Sequence, residues 1–469
     1  MITLETLDRW LASSPENEHL EFKEARQHYD TTKLLRYCVA LANEGGGHMV
    51  LGVCDKRPRR VVGTHAFLNT GEITAQILRA LRMRVEVQEL AHPDGRMLVF
   101  SIPSRPVGVP IHHEGAYLMR AGEELVPMTA DQLKRILAEG GPDWFEQPAR
   151  DAASPDDVVA LLDTQSFFEL LNLPYPTTRE GVLARLAQER LIQEKPGGWC
   201  ITNLAAILLA KRLDAFSPEL ARKAARVVIY EGVNKLVTRE DKPGGRGYAV
   251  GFESLVGFVH SSAPLNRFVE QVVREEVKMF PRQAIRELVA NALVHQDFEV
   301  TGQSVMVEMY ADRLEISNPG MPPIKVERFI DEFRSRNERL AELMRRMGLC
   351  EEKGSGIDKV VHLAEMFQLP APDFRTSETR TTAILFAHQD FADMSKPDRV
   401  RACYQHCCLQ YVSNLRMSNQ SLRERFNLPE SRAATVSLVI SATKEAGLVK
   451  PDETDSASTR YARYLPFWA

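Results

Sequence analysis

The stretch Phe280-Pro-Arg-Gln-Ala-Ile-Arg-Glu-Leu-Val-Ala-Asn-Ala-Leu-Val-His-Gln-Asp-Phe298 constrains the fold more than any other in this chain. Pro281 suits the first turn of a helix. Ile285, Leu288, Val289, Ala292 and Leu293 recur at three- and four-residue spacing, so one stripe of that helix must be buried. Glu287 and Asn291 are spaced i, i+4 and share a face. A carboxylate beside a carboxamide can hold a water and a metal-bound phosphate, with Glu287 as catalytic general base and the Asn291 oxygen as a Mg²⁺ ligand. The same spacing also fits a helix with two polar residues turned to solvent, and the pair alone does not separate the two.

The runs Ser304–Tyr310 and Thr381–Phe386 read as sheet strands on which such a helix would pack. Between them, Asp312-Arg-Leu-Glu-Ile-Ser-Asn-Pro-Gly320 reads as a strand ending in a sharp turn. Arg336-Asn337 follows, then Glu351-Glu-Lys-Gly-Ser-Gly-Ile-Asp-Lys359, where Gly354 and Gly356 open a helix through Ile357, Val360, Val361 and Leu363. Glycines ahead of a helix N-terminus let backbone N–H groups approach phosphate, and the helix dipole adds to the attraction. Helix box, turn box and glycine box, in that order, resemble the GHKL (Bergerat-type) ATPase fold in its RecG-like C-terminal or transcriptional-regulator variant. The resemblance implies ATP as cofactor, Glu287 and Asn291 as the N box, Asn318 and Gly320 as the adenine-reading turn, and Gly354, Ser355 and Gly356 as the phosphate lid. The family's adenine-reading Asp is Asn318 here, a weaker acceptor than a carboxylate, so nucleotide binding is expected ahead of fast hydrolysis. His295 and Asp297 are expected to cap, pack or touch nucleotide.

At 469 residues the chain is too long for one core, and three or four domains are expected. A hydrophobic share of 44% with 26% charged residues describes an ordinary soluble protein, and a net charge of −4 offers nucleic acid no global attraction, only local patches. The first residues lack a basic segment followed by an apolar one, and no run of eighteen apolar residues occurs. Neither a signal peptide nor a membrane span is therefore expected. Seven cysteines without a Cys-x2-Cys pair predict reduced thiols in a cytoplasmic protein. Cys403, His406, Cys407 and Cys408 fall on one helix, but no second ligand pair follows at zinc spacing, so buried thiols are expected.

Residues 1–15 read as a short helix. In Glu16-Asn-Glu-His-Leu-Glu-Phe-Lys23, Leu20 and Phe22 alternate with Glu21 and Lys23, which places Glu21 and Lys23 on one face of a strand. A helix through Leu34–Ala42 runs into Asn43-Glu-Gly-Gly-Gly47, and the strand Met49–Val53 ends at Cys54-Asp55. Acids at neighbouring strand ends can gather around a divalent metal, and Lys56, Arg57, Arg59, Arg60, Arg79, Arg82 and Arg84 suit phosphate. These residues, with Val61-Val62-Gly63 and Tyr117-Leu-Met-Arg-Ala-Gly122, resemble the Schlafen AlbA-type domain over residues 10–137. The resemblance implies Glu16, Glu21 and Asp55 as the metal-binding, catalytic carboxylates of an RNA nuclease using Mg²⁺ or Mn²⁺. Lys23, Arg57, Arg59, Arg60, Arg82 and Arg84 would then contact nucleic acid. Cys54 stands where the first acid of an Asp-Asp pair is usual, and bacterial domains of this type are also assigned to DNA binding without cleavage. Both readings stay open.

Residues 140–155 and 391–398 read as linkers, and Arg239–Tyr248 as an exposed loop. Near the C-terminus, a helix Gln420–Phe426, a turn Asn427-Leu-Pro429 and a helix Ser431–Ala446 precede a wing from Leu448-Val449 that returns at Arg460–Tyr464. This resembles a winged helix-turn-helix, with Arg423 and Arg432 placed for DNA. Residues 396–469 carry eleven basic and seven acidic side chains, opposite in sign to the whole chain.

The expected fold class is α/β multidomain. It comprises an N-terminal Schlafen AlbA-like α+β domain (1–140), a helical winged-helix-like connector (150–250), a GHKL-type α/β sandwich (251–390) and a C-terminal winged helix-turn-helix (396–469). No Walker A motif supports a motor helicase, and no catalytic loop supports a kinase. The expected function is an ATP-gated, metal-dependent nuclease acting on RNA, tRNA or single-stranded nucleic acid. It would work as a nucleotide-dependent homo-oligomer, and phage defence would suit it. The alternative is an ATP-responsive DNA-binding transcriptional regulator without catalysis.

Overall fold

The strand Leu20–Lys23 pairs in parallel with Gly47–Leu51 at the edge of a four-stranded sheet completed by Gly95–Ile102 and Glu86–His92. Its two-residue alternation is honoured. Leu20 and Phe22 join Leu7, Val50, Met97 and Val99 in one apolar cluster, while Glu21 and Lys23 turn toward Tyr37 on the helix Thr31–Asn43. Asp30 caps that helix by accepting from Lys33 N. At its other end Asn43 Nδ2 donates to Ile111 O and Leu118 O, both at 2.9 Å, and Asn43 Oδ1 accepts from Ile111 N. Those three bonds tie the helix to a small sheet of His112–His113, Ala116–Ala121 and Glu124–Pro127.

The computed structural model describes residues 2–13, 17–54, 59–122, 124–139, 143–265, 278–351, 356–452 and 462–469. The chain divides into the units Met1–Pro142 and Asp143–Ala469.

In the second unit six strands form one sheet in the order Thr238–Pro243, Arg226–Tyr230, Met306–Met309, Arg313–Pro319, Arg380–Phe386, Asp373–Thr376. Arg226–Tyr230 runs parallel to Met306–Met309, and the other neighbours are antiparallel. Helices Tyr248–Ser262, Arg282–His295 and Gly356–Met366 pack with it. Ile285, Leu288, Val289, Ala292 and Leu293 are buried in one core with Val307, Leu314 and Ile316. Each large side chain so buried contributes about 1.5–3 kcal/mol.

The sheet takes two strands from residues 226–243, ahead of the boundary expected at 251. The segment read as a loop holds all but the first residue of the edge strand Thr238–Pro243. Its residues are exposed and held by backbone pairing and by the Arg226–Asp241 ion pair, so no apolar pattern announces it. The stretch read as a first linker is also built in. Pro148–Ala153 pairs with Gly198–Thr202, and Trp144 stacks on Phe298 at 4.5 Å. The stretch read as a second linker begins in a turn where Met394 is buried, and from Lys396 it is already helical. The helices Lys396–Val412, Asn419–Arg425 and Ala433–Glu445 and the paired strands Val449–Pro451 and Tyr464–Pro466 make up the rest. They rest against the sheet-bearing part: Tyr404 donates to Glu327 O at 2.6 Å, Gln405 to Pro372 O at 2.7 Å, and Arg425 to Leu369 O at 2.7 Å. Among the described residues no helix is long and apolar enough to cross a membrane.

Candidate functional site

Arg282–His295, the end of Arg313–Pro319 and the start of Gly356–Met366 surround a cavity of about 670 Å³. Glu287, Asn291, Asn318 and Gly356 all line it, so helix, turn and glycine boxes meet in space. Glu287 is 5% exposed and makes no hydrogen bond or ion pair among the described residues. Burial pushes its carboxyl up, and the charge of Glu351 adds to the effect. Gly356 approaches so closely that a Cβ there would lie 2.9 Å from Glu287 Oε2 and 3.7 Å from Asn291 Nδ2. The absence of a side chain at Gly356 lets the helix N-terminus come up against the Glu287 carboxylate at the cavity wall. Gly354 and Ser355 lie outside the described residues.

Asn318 donates through Nδ2 to Pro319 O at 3.0 Å and to His295 O at 3.3 Å, which leaves Oδ1 as the acceptor for a ligand. Gly320 has φ +97°, and Thr381 Oγ1 donates to its carbonyl at 2.8 Å. Gly320 takes part in the turn, but it is not among the cavity-lining residues. Behind it, Arg336 pairs with Asp297 at 3.1 Å, and Asn337 Nδ2 donates to Val294 O and Gln296 O. Asp297 therefore holds the Arg336 segment against the turn. His295 lines the cavity, and burial with the neighbouring Arg336 charge lowers its pKa to about 4, so the ring is neutral at pH 7. Arg345 and Cys350, which the sequence did not single out, also line the cavity. Arg345 is half-buried on the helix Glu338–Arg346 and has no ion pair among the described residues, so it is available to an anion.

In the first unit Glu21 is fully buried. Arg120 Nη2 lies 2.6 Å from its Oε2, and Lys23 pairs with its Oε1. Tyr37 shares this centre; burial and the Glu21 charge raise its pKa. Glu21 is thus a carboxylate flanked by two cations. Glu16, Asp55 and Arg57 lie outside the described residues, so this structure neither assembles nor disperses the expected acid trio. Arg120 was legible in part. It falls in Tyr117–Gly122, and strand alternation puts Leu118 and Arg120 on the same inward face.

The basic residues divide. Lys23 lies over Tyr37 and Arg59 over the Phe22 ring at 4.5 Å. Arg60 is exposed, as are Arg82 and Arg84. The latter two lead into Glu86–His92, at the opposite sheet edge from Leu20–Lys23, roughly 14 Å away at ordinary strand spacing. Near the C-terminus, half-buried Arg423 donates to Asn419 Oδ1 at 3.1 Å, while Arg432 is exposed at the start of Ala433–Glu445. Cys403, Cys407 and Cys408 are fully buried, and burial pushes the Cys403 and Cys408 thiols up to about 12.

Residues 16–129 match the family described as "Schlafen, AlbA_2", and residues 302–385 match "Putative ATP-dependent DNA helicase recG C-terminal". The chain therefore joins a Schlafen AlbA_2 domain to a recG C-terminal, ATPase-like domain, the pairing expected from its motifs. The Glu287–Asn291 helix lies outside the second match and joins it through the cavity. Among solved structures, the DIP2311 protein from Corynebacterium diphtheriae is similar at 16% identity, over 98% of this chain and 96% of that one, with a TM-score of 0.42. The N-terminal domain of a RecG-related protein from Nitrosomonas europaea is similar at 20% identity, over 28% of this chain and 92% of that one, with a TM-score of 0.21. No curated protein matches the chain at a significant level.

Proposed function

We propose that this chain is a nucleotide-responsive nucleic-acid-binding protein. The convergence of Glu287, Asn291, Asn318 and Gly356 on one cavity carries this reading. ATP would present its adenine amino group to Asn318 Oδ1 and its phosphates to the N-terminus of Gly356–Met366. A magnesium ion would take the Asn291 oxygen, and Glu287 would hold a water. Nucleic acid would bind the Schlafen AlbA_2 domain through Lys23, Arg59 and Arg60, and residues 396–469 would act as a winged helix-turn-helix.

Metal-dependent cleavage by the N-terminal domain is the second reading. It is favoured by Lys23 beside Glu21, a cation that could meet a phosphate next to an acid. The neutralisation of Glu21 by Arg120 and Lys23 favours binding over cleavage, since a metal would have to displace the guanidinium. Incubation of the full chain with labelled single-stranded RNA, tRNA and DNA, with Mg²⁺ or Mn²⁺ and with or without ATP, separates the two. Intact substrate, with binding that responds to ATP and is lost in Asn291→Ala, supports the first. Divalent-dependent cutting replaces it with the second. Binding that ignores ATP refutes the coupling in both.

A further inference from the structure

A second cavity, of about 580 Å³, opens where the C-terminal helices meet the sheet-bearing part. It lies beyond the far end of the helix whose N-terminus faces Glu287. Gly356–Met366 spans roughly 16 Å, and Gln368, Leu369 and Pro370, just after it, line the new space. None of the residues of the first cavity belongs to it.

Its walls have two characters. One is aromatic: Phe391 and Phe426 meet edge-on at 4.9 Å, with Pro370 and Leu428 alongside. The other is cationic, built from Arg399, Arg425 and Arg432 on three successive segments, with His388 beside them. Arg399 lies over the Phe391 ring at 4.4 Å and donates only to the carbonyls of Phe391 and Ala392. No carboxylate neutralises it, and its Nε is buried without a hydrogen bond among the described residues. Arg432 has no ion pair or side-chain hydrogen bond among the described residues. Arg425 is 7% exposed, and Glu365 at 3.2 Å offsets its charge. The one acid in the lining, Asp390, lies 3.5 Å from His388 Nε2. The balance of the lining is positive. Guanidinium groups and aromatic rings in one cavity, with Arg399 stacked on one face of Phe391, suit a flat base attached to a phosphate.

We propose that this cavity is a second nucleotide site, which takes the phosphate of a nucleoside monophosphate or of the terminal unit of a strand on Arg399 and Arg432, with the base against Phe391 and Phe426. It does not depend on what occupies the Glu287 cavity.

The test is calorimetric titration of the full chain with adenosine monophosphate and with a 5′-phosphorylated thymidine hexamer. The proteins compared are wild type, Arg432→Ser, Arg399→Gln and Asn291→Ala, each checked by thermal unfolding. Arg432 is exposed and anchors nothing, so its variant folds even if Arg399→Gln does not. Wild-type binding that weakens about tenfold or more in Arg432→Ser, the loss of one charge-assisted hydrogen bond, and persists in Asn291→Ala supports the site. Binding of the monophosphate identifies a free nucleotide; binding of the hexamer alone identifies a strand end. Failure of both probes to bind, binding unchanged in Arg432→Ser, or binding lost only in Asn291→Ala would overturn the proposal. In the last case the ligand belongs to the first cavity.

Discussion

Glu21→Gln is the substitution an enzymologist would make first, and the structure predicts that it acts on stability before chemistry. Glu21 and Arg120 are 0% and 2% exposed, and the two charges approach to 2.6 Å. Removing one member of such a pair leaves the other charge buried and uncompensated, at about 3–5 kcal/mol. Lys23 is partly exposed and can turn to water, so Arg120 carries most of that cost. In a unit of this size the loss lowers the melting temperature by roughly 10 °C. Hydrogen exchange in full-length protein, read on peptides covering Leu20–Lys23 and Gly47–Leu51, reports this unit alone. Exchange should accelerate by roughly a hundredfold or more in Glu21→Gln, and most of the protection should return in Glu21→Leu/Arg120→Met, where both charges are gone. Unchanged protection in Glu21→Gln would refute the reasoning. The carboxylate would then be exchangeable, as a metal ligand must be. Loss of any cleavage in this variant therefore counts as catalytic only if the fold is shown intact.

Three further outcomes are expected. Gly356→Ala places a methyl 2.9 Å from Glu287 Oε2 and should weaken binding of a non-hydrolysable ATP analogue about tenfold or more, with little change in thermal unfolding; retained affinity would separate Gly356 from the phosphate site. Asp358 is raised from 3.8 to about 6 by burial and the Asp331 charge. Because the folded value lies above the unfolded one, its cost to stability grows as pH rises from about 4 to 6 and is full above that. At full burial the cost would be about 3 kcal/mol, and partial exposure brings it to about 1 kcal/mol. Asp358→Asn should thus stabilise by that amount at pH 7.5 and not at pH 3.5 in urea unfolding, and an equal effect at both would refute the assignment. With native protein, a thiol reagent should label the partly exposed Cys54 well before Cys38, Cys403, Cys407 and Cys408, all fully buried; uniform labelling would mean that the C-terminal core opens readily.

The helix Arg282–His295, the strand Arg313–Pro319 and the helix Gly356–Met366 were legible because each carries its own period and its own breaker. The edge strand Thr238–Pro243 and the built-in segment Asp143–Ala153 were not. The first uses backbone pairing and charge, and the second uses Trp144 and Phe145 against Phe298, a partner more than a hundred residues away. The second cavity was equally hidden: Arg399, Arg425 and Arg432 are unremarkable on three separate segments until the fold brings them together.

Local sequence was enough to place the apolar helices and strands, because apolar spacing, prolines and glycines act within a few residues. It also determined the two domain types, because their motifs are local strings. Tertiary structure decided the state of the charged groups. Glu21 sits between Arg120 and Lys23, and Glu287 is buried with no hydrogen bond among the described residues. Whether a carboxylate is a ligand, a base or an anchor depends on which cations and how much water reach it, and those neighbours come from distant parts of the chain.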